Sequence, residues 1–124
     1  MGTRHPRLDL VLQRRQDLLD VARAFDACLS LTGSVARGEE AERDERPGKP
    51  RESDIDFYVS RFTSSGDHSM DYDRANQLVR RVRQILAPYA VDLRPLPGWL
   101  IDDPQLEGFK RDAVPLEELP AASL

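Results

Sequence analysis

Hydrophobic residues recur along the chain with two different periods, and the change of period marks where one element gives way to the next. Over residues 8–28 they fall three, four and seven positions apart with charged residues between them, which predicts an amphipathic helix. Residues 71–87 repeat this pattern up to Pro88, and proline cannot continue a helix. Between these two helices, residues 29–32 form a short apolar run that Gly33 closes, which we interpret as a buried strand.

Two further stretches alternate strictly between apolar and polar residues, which is typical of strands with one buried face. In residues 54–60 the alternation turns Asp54 and Asp56 away from the predicted core. In residues 89–96 it does the same for Asp92, whose two neighbours are apolar. We therefore expect all three aspartates on faces opposite the core.

The remaining stretches follow neither period. Residues 39–52 include ten charged residues, two prolines and one glycine among fourteen, which predicts an exposed, mobile loop. A short helix is predicted to begin at Asp102 or Asp103, with Pro104 in its first turn. An extended piece follows over residues 113–116, and we expect residues 117–124 to be a loose tail. The order of helix, strand, strand, helix, strand and short helix predicts an α+β (mixed α/β) fold. In it, a mixed sheet has helices packed on one face.

Length and charge narrow the possible functions. The 124 residues suit a single domain, which we take to span residues 1–124. The net charge of -4, from 22 acidic and 18 basic residues, argues against holding nucleic acid by bulk charge. The single cysteine, Cys28, excludes an internal disulfide, and we expect it to be a small buried residue. Without a signal-peptide pattern or a run near ~20 apolar residues, we expect no membrane association and a cytoplasmic location.

The three aspartates are the best candidates for chemistry. Asp54 and Asp56 are two residues apart on one strand, so their side chains leave the same face about 6 to 7 Å apart. If the strand of Asp92 adjoins, three carboxylates share one surface. Mg²⁺ prefers such hard oxygen ligands, and two Mg²⁺ ions serve phosphoryl or nucleotidyl transfer. An exposed aspartate by itself is more often merely solvated.

Gly33 and Ser34 complement the carboxylates. They lie where the first strand gives way to a possible helical turn, and a small side chain with free backbone N–H groups there can cradle phosphate. The dipeptide is a weak signal alone. The hypothesis depends on the joint order of strand, Gly-Ser, Asp-x-Asp in a strand, and a single aspartate in a later strand.

Three strings in this order resemble the minimal nucleotidyltransferases of the DNA polymerase β superfamily. They are LTGSVARG at residues 31–38, SDIDFYV at residues 53–59 and VDL at residues 91–93. The family pattern is G-S-x-x-x-G, then S-D-I-D, then a third carboxylate, and the resemblance covers about residues 29–96. The chain departs from the pattern in the long separation of Gly-Ser from Asp-x-Asp, and the surplus falls in the charged loop.

The resemblance implies a role for each matching residue. Gly33 and Ser34 would hold the terminal phosphates of ATP or another nucleoside triphosphate. Asp54 and Asp56 would ligate two Mg²⁺ ions, and Asp92 would ligate the one that activates the acceptor hydroxyl. Arg37 matches an arginine that is frequent after Gly-Ser, and it would either touch phosphate or brace a neighbouring carboxylate.

The resemblance also implies an activity and a partner. The activity is transfer of a nucleoside monophosphate, with AMP from ATP favoured, to a hydroxyl of a protein or RNA acceptor. Many minimal members are similar to the antitoxin halves of toxin-antitoxin pairs, so an all-helical HEPN-type ribonuclease toxin is the expected partner. Two alternatives stay open: a non-catalytic binding module that neutralises a helical partner, and a toxin that nucleotidylates tRNA.

Overall fold

The computed structural model describes residues 5–39, 54–95 and 104–120, and it confirms the predicted α+β fold. Of the predicted charged loop, all but Glu39 lies outside the described residues. None of the described helices is both long and apolar enough to cross a membrane. The elements are, in chain order, α1 (Pro6–Gln13), α2 (Arg15–Ala24), β1 (Ala27–Thr32), α3 (Gly33–Ala36), β2 (Ile55–Phe62), α4 (His68–Leu86), β3 (Val91–Arg94), α5 (Pro104–Asp112), β4 (Val114–Pro115) and a 3₁₀ helix (Leu116–Glu118).

The strands form one mixed sheet in the order β3-β2-β1-β4. β1 runs antiparallel to both β2 and β4, whereas β2 and β3 are parallel. The parallel pair needs a crossover connection, and α4 supplies it. The register of this pair places Asp56 directly opposite Asp92.

One face of the sheet packs against α2 and α4 to form the core. The alternation predicted from the sequence is observed, because the apolar residues of β2 and β3 are buried while the residues between them are more exposed. The apolar stripes of α2 and α4 face this layer, as predicted. The buried residues of the core are Ala27, Leu29, Leu31, Ile55, Phe57, Val59, Val91 and Leu93 from the sheet and Leu18, Val21, Ala22, Ala75, Leu78, Val79, Val82 and Leu86 from the two helices.

α5 covers part of the opposite face of the sheet, in addition to the helices predicted on one face. Thr32 of β1 is fully buried, and its hydroxyl donates a hydrogen bond to the carbonyl oxygen of Phe109 in α5. The guanidinium carbon of Arg94 lies 5.9 Å from the centre of the Phe109 ring. This face, which also carries the aspartates, is therefore partly shielded from solvent.

The first predicted helix is interrupted at one residue. Arg14 adopts φ -100° and ψ 10° between α1 and α2. The side chains around this position are mostly exposed. Hydrogen bonding continues across the break, from the Arg14 amide to the Leu10 carbonyl and from the Leu18 amide to the Arg14 carbonyl.

Cys28 is exposed, so the prediction that it is buried is wrong. The strand begins at Ala27, earlier than predicted, and its pairing with β2 shifts between Cys28 and Leu29. Ala27 and Leu29 are turned into the core, and Cys28 lies between them facing outward. A shift of pairing register cannot be read from the sequence of one strand.

The prediction of a loose tail from residue 117 is wrong for its first residues. Leu116 and Leu119 are buried in and just after the 3₁₀ helix. Residues three apart on a 3₁₀ helix lie on one face, so the two leucines contact the core together. Residues 121–124 lie outside the described residues.

Candidate functional site

Asp54, Asp56 and Asp92 converge on the sheet face away from the core. Each offers one carboxylate oxygen, and these three oxygens lie within 4.8 Å of one another. Asp54 is exposed just before β2, whereas Asp56 and Asp92 are half-buried and opposite each other in the parallel pair. The expectation that the carboxylates share one surface is met because the two strands adjoin. Their role as metal ligands stays a prediction.

The environment of Asp56 disfavours its charged form. Burial, and then the negative charges of Asp92 and Asp54, raise the pKa of Asp56 from 3.8 to about 7, although Arg94 and Arg37 oppose the rise. Without a further cation, the Asp56 carboxyl is therefore about half protonated at neutral pH, because its pKa is about 7. A divalent cation would offset the repulsion, and three carboxylate oxygens are the hard ligands that Mg²⁺ prefers. The donor set thus fits the predicted magnesium site.

Gly33 brings the β1–α3 turn into contact with this cluster. Its φ is +73°, and a Cβ atom there would lie 2.6 Å from Oδ2 of Asp56. Only glycine combines this backbone conformation with so close an approach. Ser34 follows as the second residue of α3 and is half-buried. The predicted Gly-Ser turn and the predicted carboxylates therefore belong to one locality.

Arg37, at the end of α3, pairs with two carboxylates. Its Nε lies 3.0 Å from Oε2 of Glu39, and its Nη1 lies 2.9 Å from Oδ2 of Asp112 in α5. The guanidinium thus links α3 to α5. Its positive charge also offsets a small part of the rise in the pKa of Asp56. Of the two roles considered for Arg37, bracing a carboxylate is observed, and phosphate contact stays a prediction.

Two charged residues near the site, Arg94 and Asp112, were not predicted from the sequence. Arg94 has a terminal nitrogen 3.8 Å from Oδ2 of Asp92, and the alternation of β3, which places both on one face, was the available signal. Asp112 lies 75 residues from its partner Arg37, and no local pattern links them.

Comparisons of the chain with protein-family models, with curated proteins and with solved structures find no match.

Proposed function

We propose that the protein is a Mg²⁺-dependent nucleotidyltransferase of the minimal type that its motifs resemble. It transfers a nucleoside monophosphate, with AMP from ATP favoured, to an acceptor hydroxyl and releases pyrophosphate. The observation that carries the proposal is the convergence of three carboxylate oxygens within 4.8 Å, beside a glycine that touches Asp56. Solvated surface aspartates would not require a residue without a side chain next to them.

The roles proposed for the residues follow from their positions. Asp54 and Asp56 would hold two Mg²⁺ ions, and Asp92 would hold the one nearer the acceptor hydroxyl. When bound, the ions would neutralise phosphate charge and orient the triphosphate. Gly33 and Ser34 form the turn beside the aspartate cluster and, as the resemblance implies, hold the terminal phosphates.

The transfer step itself is an in-line displacement. The acceptor oxygen forms a bond to the α-phosphorus while the bond from that phosphorus to the pyrophosphate oxygen breaks, and pyrophosphate leaves. The hydroxyl proton passes to Asp92, whose carboxylate is half-buried on β3. Arg37 positions α3 against α5 through Asp112.

The charge pattern of the site favours an enzyme over a non-catalytic binding module. Burial and two like charges raise the pKa of Asp56 to about 7, which costs folding free energy that surface binding of a helical partner does not require. We place the enzyme in the cytoplasm, paired with a HEPN-type toxin as antitoxin. A nucleotidyltransferase toxin acting on tRNA, the other catalytic alternative, would use the same site.

Incubation with each of the four α-labelled nucleoside triphosphates in Mg²⁺ tests the proposal. Reactions are run with and without total tRNA, and with and without the co-expressed product of the adjacent gene. Label should appear on protein or RNA, and Asp54→Asn should reduce it on the order of 100-fold because the metal loses a ligand. Asp73→Asn, which changes an exposed aspartate of α4, should leave labelling unchanged.

Two results would contradict the proposal. Undiminished labelling by Asp54→Asn would remove the aspartates from the reaction. Absence of label with every nucleotide and acceptor, combined with a stable complex between Asp54→Asn and a helical partner, would favour the binding module.

A further inference from the structure

A cavity of about 310 Å³ opens beside the three aspartates. Asp54 and Asp92 line one side of it, and residues 87–91, which join α4 to β3, line the other. Arg83 in the last turn of α4 completes the lining. A volume of roughly 300 Å³ is at the lower end of the range for small-ligand sites and can accommodate about one nucleotide.

Arg83 places a positive charge on the α4 side of the cavity. Arg83 is exposed, and its Nε donates a hydrogen bond to the carbonyl oxygen of Val91 at 3.4 Å. This bond holds the guanidinium at the cavity wall, and within residues 5–39, 54–95 and 104–120 no acceptor takes its terminal N–H groups, which can donate to a ligand. Arg80 and Arg81 are exposed on the preceding turn, and the sequence contains no acidic residue between Asp73 and Asp92. In a chain of net charge -4, this is a local concentration of positive charge.

The cavity therefore combines three different surfaces. Asp92 lies at one side, where the proposed function requires an acceptor hydroxyl. Pro88 and Tyr89 offer apolar surface, with one face of the Tyr89 ring covered by the Arg7 guanidinium, and Arg83 offers donors for an anion. A tyrosine side chain carries a hydroxyl and a ring but no anion to match Arg83. The terminal nucleotide of an RNA carries ribose hydroxyls, a planar base and a phosphodiester.

We propose that this cavity binds the 3′-terminal nucleotide of an RNA acceptor, an inference that rests on the proposed function. The ribose hydroxyl faces Asp92, the base packs against Pro88 and Tyr89, and the phosphodiester on the 5′ side of that nucleotide binds Arg83. In the reaction, the ribose oxygen bonds to the α-phosphorus of the nucleoside triphosphate and pyrophosphate leaves. The proton of that hydroxyl goes to Asp92.

Fluorescence anisotropy with a 5′-labelled single-stranded RNA hexanucleotide in Mg²⁺ tests this assignment. Arg83→Gln should weaken binding about fivefold and reduce the slope of log affinity against log salt by about 0.7, the loss of one phosphate contact. Ala90→Trp, which fills the cavity without changing charge, should weaken binding by a similar factor. Arg61→Gln makes the same charge change at the far end of β2, where the arginine is 63% exposed, and should alter affinity less than about twofold.

Binding of a non-hydrolysable ATP analogue is measured in parallel with wild type, Asp54→Asn and the cavity variants. Failure of the analogue to bind wild type in Mg²⁺ would overturn the proposed function itself. Binding of the analogue together with RNA affinity that neither Arg83→Gln nor Ala90→Trp changes would overturn the cavity assignment alone. A tyrosine peptide that binds in place of RNA, and that Ala90→Trp excludes, would also overturn it and assign a protein acceptor.

Discussion

Replacing Gly33 by alanine tests whether the β1–α3 turn packs directly against Asp56 of the aspartate cluster. The new methyl group would lie 2.6 Å from Oδ2, 3.2 Å from Cβ and 3.3 Å from Cγ of Asp56. Rotation of the carboxylate can relieve the contact with the oxygen. The contact with Cβ, which no side-chain rotation can move, requires the strand itself to shift by a few tenths of an ångström.

The structure supplies a matched control for the backbone part of this effect. Gly66 has φ +87°, close to the +73° of Gly33, but a Cβ atom there would have no neighbour within 4 Å. Gly66→Ala should therefore cost only the strain of a left-handed conformation, about 1 kcal/mol. Gly33→Ala adds overpacking against Asp56, which costs about 1–3 kcal/mol. We expect a total destabilisation of about 2–4 kcal/mol at Gly33.

Urea unfolding followed by circular dichroism gives both free energies by linear extrapolation. Asp56→Ala removes the Oδ2 and Cγ contacts, so the double variant with Gly33→Ala should be less destabilised than the sum of the single variants by about 1 kcal/mol. Equal destabilisation by Gly33→Ala and Gly66→Ala, with additivity in the double variant, would refute the close contact between Gly33 and Asp56.

Two further predictions concern the electrostatics and the tail. Because the pKa of Asp56 is raised to about 7 in the fold, the folded state binds its proton more tightly than the unfolded state does, and stability should fall as pH rises from about 4 to about 7. Asp56→Asn should remove about 2 kcal/mol of this fall, which is half the free energy equivalent to the whole pKa shift, because the carboxylate is partly exposed. The free energy of unfolding at pH 4 and pH 8 measures this effect, and an unchanged pH profile would contradict it. Leu116→Ala should destabilise the protein by about 3 kcal/mol because its side chain is 1% exposed. The exposed Glu117→Ala should change the unfolding free energy by less than about 0.5 kcal/mol, and equal effects would show that the segment is loose.

The sequence by itself determined the elements and the faces on which candidate residues lie. Helical spacing and strand alternation are local properties, since each depends on the few residues within one or two turns or pleats. That is why the α2 and α4 stripes, the outward direction of Asp56 and Asp92, and the helix beginning at Pro104 were predictable. The positive φ of Gly33 also agrees with its predicted place at the end of a strand.

Tertiary structure alone decided which of these elements became neighbours. The parallel pairing of β2 with β3 places Asp56 opposite Asp92, and no pattern within either strand specifies that pairing. The same holds for the shift of register that exposes Cys28, and for the burial of Leu119. Arg37 and Asp112 meet across 75 residues for the same reason. Contacts between distant segments arise from how whole faces pack together, so the shared carboxylate surface and the cavity beside it exist only once the sheet has formed.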